Sequence, residues 1–144
     1  MPVMTHIDHA TVQQQFARVI LNHQHMPTKR RDTLVLLVSM ATCFVPGRQY
    51  TGNEVDDILQ TWIARYCTRL SVDHATLRRL MVDEGLLTRD AAGSRYAANT
   101  DGRFFTFDSD CRTLDFDALI IAEQQRRAQQ RRDFLNQQTG TPNP

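Results

Sequence analysis

DHATLRRLMVDEGLLTRDAAGSRYA, residues 73–97, is the stretch on which the fold turns. Asp73 is a strong helix N-cap, and Leu77, Leu80 and Met81 recur at helical spacing before Gly85, the residue type that most readily ends a helix. The opposite arc of that helix carries Ala75, Arg78, Arg79 and Val82 toward solvent. Leu86-Leu87-Thr88-Arg89 and Ser94-Arg95-Tyr96-Ala97 then read as two strands. Asp90-Ala91-Ala92-Gly93 joins them, a connection whose last glycine suits a tight hairpin.

Reading upstream, Thr51 and Glu54 form a capping box, each side chain reaching the other's backbone amide. Val55, Ile58, Leu59, Trp62, Ile63 and Tyr66 follow on one face of the helix it opens and are expected in the core rather than in a ligand pocket. Ser71-Val72 is the short link to the next helix. Pro46-Gly47 is a turn, and Arg48-Gln49-Tyr50 fits a short strand. Before it, Thr28 is placed to cap a helix running through Phe44. Its centre, Leu34-Val35-Leu36-Leu37-Val38, is apolar on every side, as in a helix that crosses the core. A further helix begins near Asp8 or Thr11, buries Val12, Phe16, Val19 and Ile20, extends to His23, and is stopped by Pro27. The order is helix, short strand, helix, tight link, helix, hairpin. That predicts a mainly α fold with a small β hairpin, a winged helix-turn-helix core with N-terminal and C-terminal helical extensions. The expected parts are an N-terminal helix over 1–26, the winged-helix-like domain over 27–98, and a C-terminal extension over 99–144.

At the carboxyl end, Asp115 or Asp117 can start a helix carrying Phe116, Leu119, Ile120 and Ile121 inward. From Glu123 the sequence QQRRAQQRRD has no apolar stripe until Phe134-Leu135, so this part is expected to project or to meet a partner. Residues 137–144 are expected to be disordered.

The 144 residues carry 41% hydrophobic and 23% charged side chains, enough for one packed core. No apolar run approaches the length that spans a bilayer, and the first residues lack a secretory pattern, so a cytoplasmic protein that makes no membrane contact is expected. Cys43, Cys67 and Cys111 are widely spaced and read as small buried hydrophobes, not as a disulfide framework or a zinc site. Net charge is only +1, and residues 73–103 hold five basic and five acidic groups. A nucleic-acid surface would therefore have to be a patch assembled by folding.

Two segments, PTKRRDTLVLLVSMATCFVPGRQYTGNEVDDIL and DHATLRRLMVDEGLLTRDAAGSRY, resemble the bacterial family known as domain of unknown function 2087, over about residues 27 to 97. Asp73, Leu77-Arg78-Arg79, Gly85, Leu87, Arg89, Gly93 and Tyr96 are the most distinctive set. Two positions depart from the pattern: Asp56 stands where asparagine is expected, and Ala97 where an aromatic often follows the tyrosine. The resemblance implies a winged-helix domain, some relatives being attached to transcription-regulator domains. It implies no established activity.

The residues themselves nominate a binding surface. If the helix after Asp73 entered a major groove, Arg78 and Arg79, with His74 and Thr76, would meet base edges or phosphates, and Val82 a thymine methyl. Arg89 and Arg95 on the wing would meet phosphate from the same side of the molecule. Arg79 has a structural alternative, a bridge to Asp83 or Asp90. Lys29, Arg30 and Arg31, at the unfavourable end of their helix dipole, would add phosphate contacts. The expectation is a DNA-binding transcriptional regulator contacting double-stranded DNA, with homodimerisation through the C-terminal helix. The rival reading is a winged-helix protein-interaction module with a protein partner and no affinity for DNA. Four histidines near the amino terminus lack metal-ligand spacing, and no nucleophile elbow, phosphate loop or HExxH is present. No enzyme, metal or cofactor is expected.

Overall fold

The computed structural model describes residues 4–138. Three helices and a three-stranded sheet form the centre in the order α2 (Arg30–Ala41), β2 (Gln49–Thr51), α3 (Gly52–Tyr66), α4 (His74–Asp83), β3 (Leu87–Arg89) and β4 (Arg95–Ala98). The sheet is antiparallel with β4 in the middle, order β2-β4-β3. Helix, strand, helix pair and ribbon follow one another in the order expected from the sequence, giving a mainly α fold with a small β part. Around it lie β1 (Thr5–Ile7), α1 (His9–Asn22), β5 (Phe105–Phe107), a 3₁₀ turn (Ser109–Thr113) and α5 (Phe116–Gln138). Residues 139–144, within the stretch expected to be disordered, lie outside the described residues; Gln137 and Gln138 are the last residues of α5.

The core is built around α2, whose residues from Leu34 to Ala41 are all buried. Its start and end differ from expectation. Lys29, not Thr28, is the N-cap and offers no side-chain cap; instead the Thr33 hydroxyl donates to the carbonyls of Pro27 and Lys29. The helix stops at Ala41, short of Phe44. The amides of Cys43 and Phe44 reach back to the Met40 and Ala41 carbonyls, tightening the last turn. The Arg112 guanidinium then donates to the Ala41 and Phe44 carbonyls at 3.2 and 3.3 Å, supplying charge where the helix dipole favours a cation.

The remaining helices follow their caps. Asp8 accepts the Thr11 amide, Thr51 and Glu54 form the capping box, and Asp73 accepts the Thr76 amide. Val12, Phe16, Val19 and Ile20 bury against α2, and α1 ends at Asn22, a residue before His23. On α3, Val55, Leu59 and Trp62 are buried, while Ile58, Ile63 and Tyr66 pack around the edge of the core. The Trp62 indole N–H donates to the Ser39 hydroxyl on α2, so its polar atom is satisfied inside. Gly85 ends α4 with φ of +81°, and a Cβ there would come within 2.8 Å of the Arg103 amide nitrogen; only glycine fits.

Two short strands were not expected. Thr5–Ile7 and Phe105–Phe107 pair in parallel, burying Ile7, Phe105 and Phe107. His6 lies between the Thr106 hydroxyl (2.6 Å) and the Asp108 carboxylate (2.8 Å), and Asp108 also accepts the His9 amide at the start of α1.

Helix α5 lies against α1 along its first half, where Phe116 meets Phe16 edge-on at 4.7 Å and Asp115 accepts the Ala118 amide. Ile121 is exposed rather than inward-facing. Glu123 corrects the expectation that the polar segment has nothing to bury. Its carboxylate is only 8% exposed, beneath Arg18, Arg126 and Arg127 from α1 and α5. Among the cysteines, Cys111 is buried and Cys67 half-buried, but Cys43 is exposed, because α2 has already ended there.

Candidate functional site

Helix α4 and the β3–β4 ribbon meet along a hollow of about 310 Å³ lined by Ala75, Arg78, Arg79, Val82, Asp83, Arg89 and Tyr96. Asp73 sets the start of α4, and the three- to four-residue spacing of Leu77, Leu80 and Met81 turns the opposite arc toward this hollow. Strand register supplies the other wall. Arg89 stands opposite Tyr96, which stands opposite Tyr50, so these three side chains share the ribbon face that looks toward the helices. Arg95 stands opposite Thr51, one residue out of step, and belongs to the other face. The structure thus gathers Arg78, Arg79 and Arg89 and separates Arg95, correcting the expectation that all four share one side.

The arginines differ in how they are held. Arg78 forms an ion pair with Asp56 on α3, both side chains about one-third exposed or less. Arg79 has no carboxylate partner among the described residues, so the bridge to Asp83 or Asp90 is not made. It also lines a second hollow of about 320 Å³ with Met26, Pro27, Thr33, Thr76, Leu80 and Asp83. Arg89 donates from Nε to the Gly93 carbonyl at 3.3 Å, folding along the hairpin. It also borders a third, smaller hollow of about 150 Å³ at the ribbon, on which Arg95 lies as well. Val82 is half-buried against the core rather than exposed.

Asp90 is committed to the hairpin loop, accepting the amides of Ser94 (2.9 Å) and Arg95 (3.2 Å). The Arg95 amide, foremost, holds its carboxyl below the usual range; the Thr76 hydrogen bond does the same for Asp73. Both are anionic at neutral pH and flank the arginines, which limits the positive potential of this face.

The other nominated residues are more dispersed. The Gln60 amide donates to His74 Nδ1 at 3.2 Å, joining α3 to α4. Thr76 is exposed in the first turn. Arg30 makes a two-bonded pair with Glu84, the residue that caps the end of α4, at 2.9 and 3.1 Å. Arg31 donates to the Thr11 hydroxyl on α1. Both brace α2, which accounts for cations at an unfavourable helix start. Lys29 alone of that cluster is exposed without such a bond.

Sequence reasoning missed the roles of Asp56 and Arg112, whose partners on other elements leave no local pattern. It also missed Glu123, although Arg126 and Arg127 stand at helical i+3 and i+4 spacing from it and only Arg18 is distant in sequence. Among the described residues no three His, Cys, Asp or Glu side chains gather as a metal site would need, and no helix is long and apolar enough to cross a membrane.

Residues 23–98 match the model of the family described as "Uncharacterized protein conserved in bacteria (DUF2087)", just over half of the chain. No curated protein and no solved structure matches it.

Proposed function

The chain belongs to this DUF2087 family, and from that premise we propose that it is a binding protein rather than an enzyme, a winged-helix module that engages the backbone of double-stranded DNA in transcriptional regulation. The observation that carries the reading is the convergence of Arg78, Arg79 and Arg89 on one hollow between α4 and the ribbon, with Arg79 and Arg89 unpaired by carboxylates. A helix presented beside a ribbon fits a duplex with the helix in the major groove and the ribbon over adjacent phosphates. Arg79 and Arg89 make the phosphate contacts. Arg78 is pre-positioned by Asp56, and Arg95 reaches the strand beyond the ribbon.

Binding of the full chain to random duplex DNA, measured at two salt concentrations, tests this. Each phosphate contact contributes about −0.9 to the slope of log affinity against log salt. Arg79→Ala with Arg89→Ala should flatten the slope by about two contacts and leave the melting temperature nearly unchanged. Salt-independent affinity, or none at low salt, overturns the proposal.

One observation favours the rival protein-interaction reading. Phe134 and Leu135, 58% and 59% exposed, sit on the outer half of α5 beyond its contacts with α1. A second copy or another protein covering them would appear as a larger mass in solution, and Phe134→Ser would restore the single-chain mass.

A further inference from the structure

The only tryptophan of the chain borders a hollow unrelated to the α4–ribbon face. About 250 Å³ in size, it is walled by Cys43, Ile58, Trp62 and Tyr66, with Asp57, Thr61 and Arg65 completing it. That is just below the roughly 300–1,000 Å³ range of ligand pockets, a size for a small molecule only. The wall is fixed in advance. The Trp62 indole is anchored on Ser39, and Tyr66 lies edge-on between Trp62 (5.8 Å) and Phe16 (5.4 Å).

The charges around it leave one sign over. Arg65 is neutralised by Asp117 at 2.9 Å. The Tyr66 phenol, pushed up to about 12 by burial, stays protonated; Cys43 is exposed as a residue, but desolvation at its sulfur raises the thiol, whose Sγ lies 3.7 Å from the Ser39 carbonyl. Asp57 remains. The Thr61 hydroxyl donates to its backbone carbonyl, not to its carboxylate, and no cation lies within ion-pair distance among the described residues. An apolar, aromatic wall beside one uncompensated carboxylate is complementary to an apolar body bearing one positive charge.

We propose that this hollow is a binding site for a small organic cation, an aryl- or alkylamine. Its ammonium pairs with Asp57, and its apolar body lies on Ile58, Trp62 and Tyr66. The site stands independently of nucleic-acid binding, since the two hollows share no residue.

Trp62 emission reports occupancy directly. The full chain is titrated with phenethylamine, with the neutral 2-phenylethanol and with the anionic phenylacetate. Phenethylamine should give a saturable change, with 2-phenylethanol about tenfold weaker and phenylacetate weaker again. Asp57→Asn, whose side chain supports no other described group, should bring the amine and the alcohol to equal affinity with the far-ultraviolet dichroism unchanged. Equal affinities in the unaltered chain, preference for phenylacetate, no saturable change with the amine, or an amine preference that survives Asp57→Asn would each overturn the proposal.

Discussion

Arg78 and Arg79 are chemically identical neighbours with different employment. The first is tied across to Asp56 on α3, and the second extends into two hollows without a carboxylate. Removing the first is therefore a question of stability. Arg78→Ala should lower unfolding free energy by about 0.5–1 kcal/mol, the range for a partly exposed pair, as read from urea unfolding. Asp56→Asn should act in the opposite sense on binding, freeing Arg78 and removing a negative charge near the proposed backbone contacts. Affinity for duplex DNA at low salt should rise a few-fold, and unchanged or weaker affinity would detach Asp56 from that surface. Gly85 is a sharper structural test. Alanine there meets both a left-handed backbone and the Arg103 amide, so a loss of about 1–3 kcal/mol is expected in the same unfolding measurement.

The helices and their caps explain what could be read in advance and what could not. Capping residues and apolar spacing are local, so Asp8 or Thr11, of which Asp8 is the cap, Thr51 with Glu54, and Asp73 announced their helices, and Tyr96 and Gly93 their ribbon. Strands β1 and β5 have three residues each, too few for alternation to register, and each acquires meaning only from a partner 100 residues away. The early end of α2 depends similarly on Arg112, 71 residues beyond the carbonyl it caps. Arg112→Met should cost about 1–3 kcal/mol by removing the charged donor shared by the Ala41 and Phe44 carbonyls, of which Ala41 keeps only the Phe44 amide. Among the arginines of the proposed interface, the helical periodicity brought Arg78 and Arg79 together, but the face of Arg95 follows from strand register that a single strand's sequence does not display. The caps also set an acid limit. Asp8, Asp73 and Asp108 are held below their ordinary value of 3.8 chiefly by hydrogen bonds from Thr11, Thr76 and His9. A depressed folded-state value means that the stabilisation is present above the unfolded value and is lost as pH falls through the folded one. Thermal stability should therefore fall below about pH 4, and Asp73→Asn should reduce that dependence.

Across the whole molecule, the flanks are fastened to the centre by unlike means. α1 covers α2 with apolar side chains, whereas α5 is rooted on α1 by Phe116 and by Glu123 beneath its three arginines. Ending the chain after Arg127 retains that root and should leave the melting temperature within a few degrees. Glu123→Gln should loosen it, speeding amide exchange in α5 more than in α2.

The parallel ladder between residues 5–7 and 105–107 has a topological result. It clasps the two flanks directly to each other, so the chain is closed into a ring by noncovalent bonds, with the hairpin loop at 90–94 on the enclosed arc. A proteolytic cut in that loop opens the polypeptide without opening the ring, and the two pieces should elute together until denaturant is added.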